Sequence, residues 1–306
     1  MTEFSLVWRG SANTWECDEM GHMNVRFYLA KAGDALAVLA YQLGLGPANA
    51  DGLMLAAVDQ HVRYQREVRA GTPLSAYAGI THVRADRLQV YMELRRSIDN
   101  TISASFLTEL ICVRANGRSQ QAIPQTVIEA AKARLTILPE HGAPKGLDLH
   151  PPREGVDLTS ATELGLAEIY LGSVQPAQVD EHGFMLPYHF TGFISDGVSN
   201  FFTASSPERA RARAEGKVGG AALEYRFVYR KPARIGDIVT VRSGYMGATD
   251  KVQKFCHWIL DRATGEALAT CEVVAVMFDL VARKIIPLPD DVRAEIEAMK
   301  VESLSA

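Results

Sequence analysis

The chain has 306 residues, of which 47% are hydrophobic and 22% charged, and a formal net charge of -4. At roughly 150 residues per domain this length suggests two hydrophobic cores, and the composition is that of an ordinary soluble globular protein rather than a disordered one. The acidic balance, with no basic stretch interleaved with aromatics, excludes a broad nucleic-acid-binding face.

The first residues, MTEFSLVWRG, lack the basic segment and apolar run of a secretory signal. No stretch approaches the ~18 apolar residues of a membrane span, so a cytoplasmic protein with no membrane partner is expected. Cys17, Cys112, Cys256 and Cys271 are scattered, without a CxxC pair or zinc-ligand spacing, and are expected to be reduced and mostly buried.

In chain order, a short strand ending in WRGS (8–11) leads into the turn CDEMGHMN (17–24). A long helix over about residues 24–43 follows, with Tyr28, Ala32, Ala35, Leu36, Leu39 and Leu43 at helical spacing on one apolar face. LMLAAVDQHVRY, LQVYMELRRS and SASFLTELICVR then read as strands of an antiparallel sheet, closed by a helix after Pro124. Residues 139–158 are rich in Pro and Gly without periodicity and read as a linker.

Beyond the linker the same parts recur. A shift of 162 places YLGS on WRGS and VDEHGFM on CDEMGHM, so that Asp18, Glu19, Gly21 and Met23 meet Asp180, Glu181, Gly183 and Met185, and Asp34 meets Asp196. Downstream the shift becomes 165, and Tyr64, Arg69 and Gly71 fall on Tyr229, Arg234 and Gly236. The second long helix starts near Pro187, a residue suited to a first helical turn, with Phe190, Phe193, Ile194, Gly197, Val198 and Phe201 on one face. The expected organisation is a first domain over 1–138, a linker over 139–158 and a second domain over 159–306, each an α+β layer of one long helix against a curved antiparallel sheet.

Asp18, Gly21, His22, Asn24 and Tyr28, placed directly before and within a long buried helix, resemble the signature of the hotdog-fold thioesterases of the 4-hydroxybenzoyl-CoA thioesterase type. The resemblance covers nearly the whole chain as two hotdog units, a double hotdog, but the second copy has Phe184 and Leu186 where His22 and Asn24 stand. It implies hydrolysis of a thioester of coenzyme A or acyl carrier protein without metal or cofactor. It further implies a site with walls from both halves, and fused units that replace the pairing of separate hotdog chains, leaving further homo-oligomerisation open.

The residue types suit that chemistry. A carboxylate is needed to attack the carbonyl or activate water, and donors must steady the oxyanion. A helix start supplies free N–H groups and a positive dipole end just beyond Asp18. Gly21 would let the backbone turn tightly, His22 orient the carboxylate or move a proton, and Asn24 cap the helix or donate to the carbonyl. Helix capping alone also accounts for an Asp and an Asn in this stretch.

Asp180 is the second copy's equivalent carboxylate. Asp34 and Asp196 each lie within an apolar helix and are expected to face solvent or a polar cavity; the family's use of a helix-borne acid from a partner unit points to Asp196 as a further catalytic candidate. Arg209, Arg211 and Arg213 in the insertion 203–219, with Arg66, Arg69, Arg230 and Lys231, are candidates to hold phosphates of coenzyme A, or else belong to solvated surfaces. No GxSxG elbow, HExxH or Walker loop is present. The alternatives are a hotdog hydratase or dehydratase, whose Asp-x-Asn-Pro spacing is absent, and a protein that binds acyl thioesters without turnover.

Overall fold

A computed structural model of the chain describes residues 4–18, 20–46, 52–205, 211, 215–216, 218–282 and 284–306. It divides into two compact units, Met1–Lys145 and Gly146–Ala306. The division falls inside the Pro- and Gly-rich stretch 139–158. Among the described residues no helix is long and apolar enough to cross a membrane.

The first unit begins with strand β1 (Ser5–Ser11), a 3-10 turn (Thr14–Glu16) and helix α1 (Val25–Gln42). Four longer strands follow: β2 (Leu53–Tyr64), β3 (Pro73–Val83), β4 (Arg87–Arg96) and β5 (Ile102–Arg114). A two-residue strand β6 (Gln120–Gln121) and helix α2 (Gln125–Lys132) complete it. The strands pair antiparallel in the order β1-β3-β4-β5-β2, with β6 on β5. α1 buries Tyr28, Leu29, Lys31, Ala32, Ala35, Leu39 and Ala40, and the apolar members of this set are spaced as one helical stripe facing the sheet. Lys31, three residues after Tyr28 and four before Ala35, lies on this same face and is its one charged member.

The second unit repeats this order after a short helix α3 (Leu158–Glu163): β7 (Ala167–Ser173), a 3-10 turn (Pro176–Gln178) and α4 (Tyr188–Ser205). Then come β8 (Val218–Tyr229), β9 (Ile238–Ala248), β10 (Val252–Asp261), β11 (Ala267–Asp279), β12 (Lys284–Ile286) and α5 (Asp290–Ala298). Its antiparallel order is β7-β9-β10-β11-β8, with β12 on β11. Each long strand starts 165 positions after its counterpart, and the first strands differ by 162, as the shifted sequences require.

Correspondence extends to side chains at the first strands. A Cβ on Gly10 would lie 2.6 Å from the Trp8 ring, and one on Gly172 would lie 2.4 Å from the Tyr170 hydroxyl. In both copies the aromatic residue folds over the glycine two positions on, which any larger residue would prevent. All four cysteines are free thiols; Cys17 is partly exposed and the other three are buried.

The stretch 139–158 is held by specific bonds. Arg63 donates to the carbonyls of His141 and Ala143, and His141 Nε2 lies 2.7 Å from the buried Glu93 carboxylate. In the second unit the Gly146 amide donates to Glu224, and His150 Nε2 lies 3.1 Å from Glu272.

Candidate active site

In the first unit, the described residues of the stretch 17–24 close on one another at the head of α1. An isolated antiparallel bridge joins Cys17 and Met23, the Asp18 amide donates to the His22 carbonyl at 2.9 Å, and the Gly21 amide donates to the Asp18 carbonyl at 2.9 Å. Gly21 takes φ +75, in the left-handed region that a side chain disfavours. The Asp18 Oδ1 accepts from the Met20 amide at 3.0 Å, an Asx-type bond that holds the half-buried carboxylate in the loop.

The cap on α1 is Asn24, whose Oδ1 accepts from the Arg26 amide at 3.0 Å. This engages the oxygen of Asn24 and leaves its amide nitrogen as the group that can donate elsewhere. His22 is 6% exposed. It is buried because the loop folds against the segment after β2, where the Met23 amide donates to the Val68 carbonyl at 2.7 Å, and its Nε2 lies 2.9 Å from Glu67 Oε2. Glu67 is half exposed, so the pair is buried at the imidazole and open at the carboxylate.

Tyr28 sits one turn into α1, buried, edge-on to Tyr64 with ring centroids 5.3 Å apart, and its hydroxyl lies 3.5 Å from the Arg66 carbonyl. Burial drives its phenol well above the usual range, and the charges of Glu67 and Asp18 push the same way. Tyr28 is therefore a neutral O–H donor close to two carboxylates. The loop thus gathers Asp18, His22, Asn24, Tyr28 and Glu67 at one helix end.

The second unit builds the same loop with different side chains. Val179 and Met185 are bridged, the Asp180 amide donates to the Phe184 carbonyl at 2.9 Å, the Gly183 amide donates to the Asp180 carbonyl at 3.0 Å, and Gly183 has φ +77. Asp180 Oδ1 accepts from the His182 and Phe184 amides at 2.9 and 3.0 Å. The position of His22 is taken by Phe184, buried under the Arg234 guanidinium at 4.3 Å, and that of Asn24 by Leu186. Tyr28 and Glu67 correspond to Phe190 and Pro232. Asp180 remains, but the polar groups around its counterpart have been replaced by apolar ones.

Asp34 and Asp196 lie on the exposed sides of α1 and α4, and Asp34 is close enough to Lys31 and Glu16 to feel their charges. Desolvation pushes the Asp34 carboxyl up and Lys31 opposes this. Of the cationic candidates, Arg66 and Arg69 are exposed, Lys231 pairs with Glu266, and Arg230 is partly buried, its guanidinium pKa lowered by that burial. Arg209 and Arg213 lie outside the described residues.

Glu67, Glu16 and Lys31 are absent from the sequence-derived site. Glu67 is distant from His22 along the chain. A detectable signal lay in the repeat itself: these positions are charged in the first copy and uncharged, as Pro232, Gln178 and Phe193, in the second.

The family model of the thioesterase-like superfamily matches residues 12–133 and again 174–296, and the chain belongs to that superfamily. Its two matches cover both units. Among solved structures, the chain is similar to a protein assigned as an oleoyl thioesterase from Lactobacillus plantarum, with TM-score 0.68 and 12% identity over 90% of this chain and 97% of that one. It is also similar to an acyl-ACP thioesterase from Bacteroides thetaiotaomicron (TM-score 0.63, 11% identity, 88% and 96% covered) and to the 12:0-ACP thioesterase from Umbellularia californica (0.62, 10%, 88% and 92%). These likenesses establish a mixed α/β fold with a large antiparallel sheet and few helices. No match was found among curated protein sequences.

Proposed function

We propose that the chain is a double-hotdog thioesterase that hydrolyses an acyl thioester of coenzyme A or acyl carrier protein at the head of α1. The observation that carries this reading is the contrast between two loops of one backbone design. The first surrounds its aspartate with His22, Asn24, Tyr28 and Glu67; the second surrounds Asp180 with apolar side chains. Superfamily membership supports the reaction class.

In this reading the thioester carbonyl lies against the leading amides of α1, whose dipole favours the oxyanion. The Asp18 carboxylate takes a proton from the water that attacks the carbonyl carbon, or attacks that carbon itself to form a mixed anhydride that water then cleaves, which releases the carboxylic acid and restores Asp18. The carbon–sulfur bond breaks, the thiolate leaves with its electron pair, and the His22–Glu67 pair supplies the proton that makes it a free thiol. Asp180 and Asp196 then serve structure and surface, and one working site per chain suffices.

A panel of acyl-CoA and acyl-carrier-protein substrates, followed by thiol release, tests the reading. Release by the wild type and its loss in Asp18→Asn, with the circular dichroism unchanged, are expected. Release that survives Asp18→Asn at the native rate would remove Asp18 from the chemistry. Water addition to an enoyl-CoA without thiol release would replace hydrolysis by hydration, and binding without either reaction would make the chain an acyl-thioester-binding protein.

A further inference from the structure

The buried side of the 3-10 turn before Asp18 holds an ion pair that the proposed chemistry does not use. Lys31 Nζ donates to both carboxylate oxygens of Glu16 at 2.8 and 2.9 Å, and lies 5.2 Å from the Trp8 ring centroid. Lys31 is 5% exposed and Glu16 8%. Glu16 Oε2 also accepts from the Asn13 amide at 2.8 Å, and its backbone carbonyl accepts from the Asn24 amide at 2.8 Å. Both ends of the Asp18 loop therefore meet at Glu16: Cys17 follows it directly, and the helix cap Asn24 bonds to its carbonyl.

The second unit performs the same folding task without charge. Gln178 stands for Glu16, Phe193 for Lys31 and Tyr170 for Trp8, and Tyr170 stacks on Phe193 with centroids 4.8 Å apart. The backbone bonds survive: Gln175 N donates to Gln178 Oε1 at 2.7 Å, and Leu186 N to the Gln178 carbonyl at 3.0 Å. An apolar pair thus builds this turn. A buried ion pair gains little stability over such a replacement, because desolvating two charges offsets their attraction. Its distinguishing property is directional: two charge-assisted bonds fix one geometry, where stacked rings tolerate several.

Resting on the reading of Asp18 as the reacting carboxylate, we infer that Lys31 and Glu16 are positioning residues, which lock the Asp18 loop to the second turn of α1 so that its carboxylate holds one place relative to the helix head. The charged lock is present in the copy that carries His22, Asn24, Tyr28 and Glu67, and is absent from the copy that has lost them.

The test installs the second unit's solution in the first, as Glu16→Gln with Lys31→Phe, beside wild type, Asp18→Asn and Lys31→Arg. The expected result is a thermal midpoint no lower than wild type and an unchanged KM, with kcat for thiol release reduced about 100-fold, the scale of a small misplacement of a reacting group. Lys31→Arg, which keeps the charge, recovers most of that loss. A stable exchanged variant with wild-type kcat overturns the inference while Asp18→Asn still upholds the thioesterase reading. A Lys31→Arg as impaired as the exchange overturns it too, since shape rather than charge would then matter. A wild type that releases no thiol removes the reading and the inference together.

Discussion

Replacing Glu93 by Gln tests how the first unit tolerates a buried charge on β4. The Glu93 side chain is fully buried, and all its bonds are to donors: Oε1 accepts from the Tyr91 hydroxyl at 2.9 Å and His141 Nε2 at 2.7 Å, and Oε2 from Arg95 Nε at 2.7 Å and from Arg95 Nη2. Glutamine has one acceptor oxygen and one NH2 group: with the oxygen kept toward Arg95, which can only donate, the NH2 faces the Tyr91 hydroxyl and His141 Nε2, which must then turn from donors into acceptors. The variant loses its charge-assisted bonds on one side and leaves Arg95 without its buried counterion, a loss of about 3–5 kcal/mol by the scale of broken buried ion pairs. Burial raises the Glu93 carboxyl, but the bonds from His141, Arg95 and Tyr91 together outweigh it and hold the group below its usual value. A depressed folded value means that this stability is present above the ordinary carboxylate range and is lost as pH falls through the folded value. The gap between wild type and Glu93→Gln should therefore be full near neutrality and shrink on acidification. Hydrogen exchange at β4 amides across pH reads the first unit specifically, which a global melt of a two-unit chain does not. A gap under about 1 kcal/mol, the scale of one ordinary hydrogen bond, or one that widens at low pH, refutes the reasoning.

Two further predictions follow from the helices and the loop. Gly33→Ala on α1 faces open space and should stabilise the chain by up to about 1 kcal/mol, whereas Gly197→Ala on α4 would set a Cβ 3.0 Å from the Ile169 side chain and carbonyl and should cost about 1–3 kcal/mol; urea denaturation of both separates the signs. His22→Ala and Glu67→Gln should each lower kcat/KM for thiol release, His22→Ala by about 100- to 10,000-fold, and the double variant should lose little more than His22→Ala alone, because Glu67 acts through the imidazole; additive losses would separate the two residues.

Much of the architecture was legible because helix and strand periodicities are local properties of the chain. The helix expected over about 24–43 is Val25–Gln42 with Asn24 as its cap, and LMLAAVDQHVRY is β2 residue for residue. The repeat carried the rest: a shift of 162 that becomes 165 predicts which strands and turns recur, and Gly21 and Gly183 share one backbone conformation as their alignment requires. Asp18, Gly21, His22, Asn24 and Tyr28 were legible as a group because eleven consecutive positions hold them.

Pairings between distant segments were not legible. Nothing local tells His22 that Glu67 approaches it, or an apolar helix that its Lys31 will bury its charge against Glu16. The sequence determined the elements, their doubling and the loop before α1, because those follow from the order of residues along a few turns of chain. The tertiary structure alone decided which charges meet, which of Gly33 and Gly197 has a neighbour, and that Asp34 and Asp196 point outward, because burial and pairing depend on what the rest of the chain brings alongside.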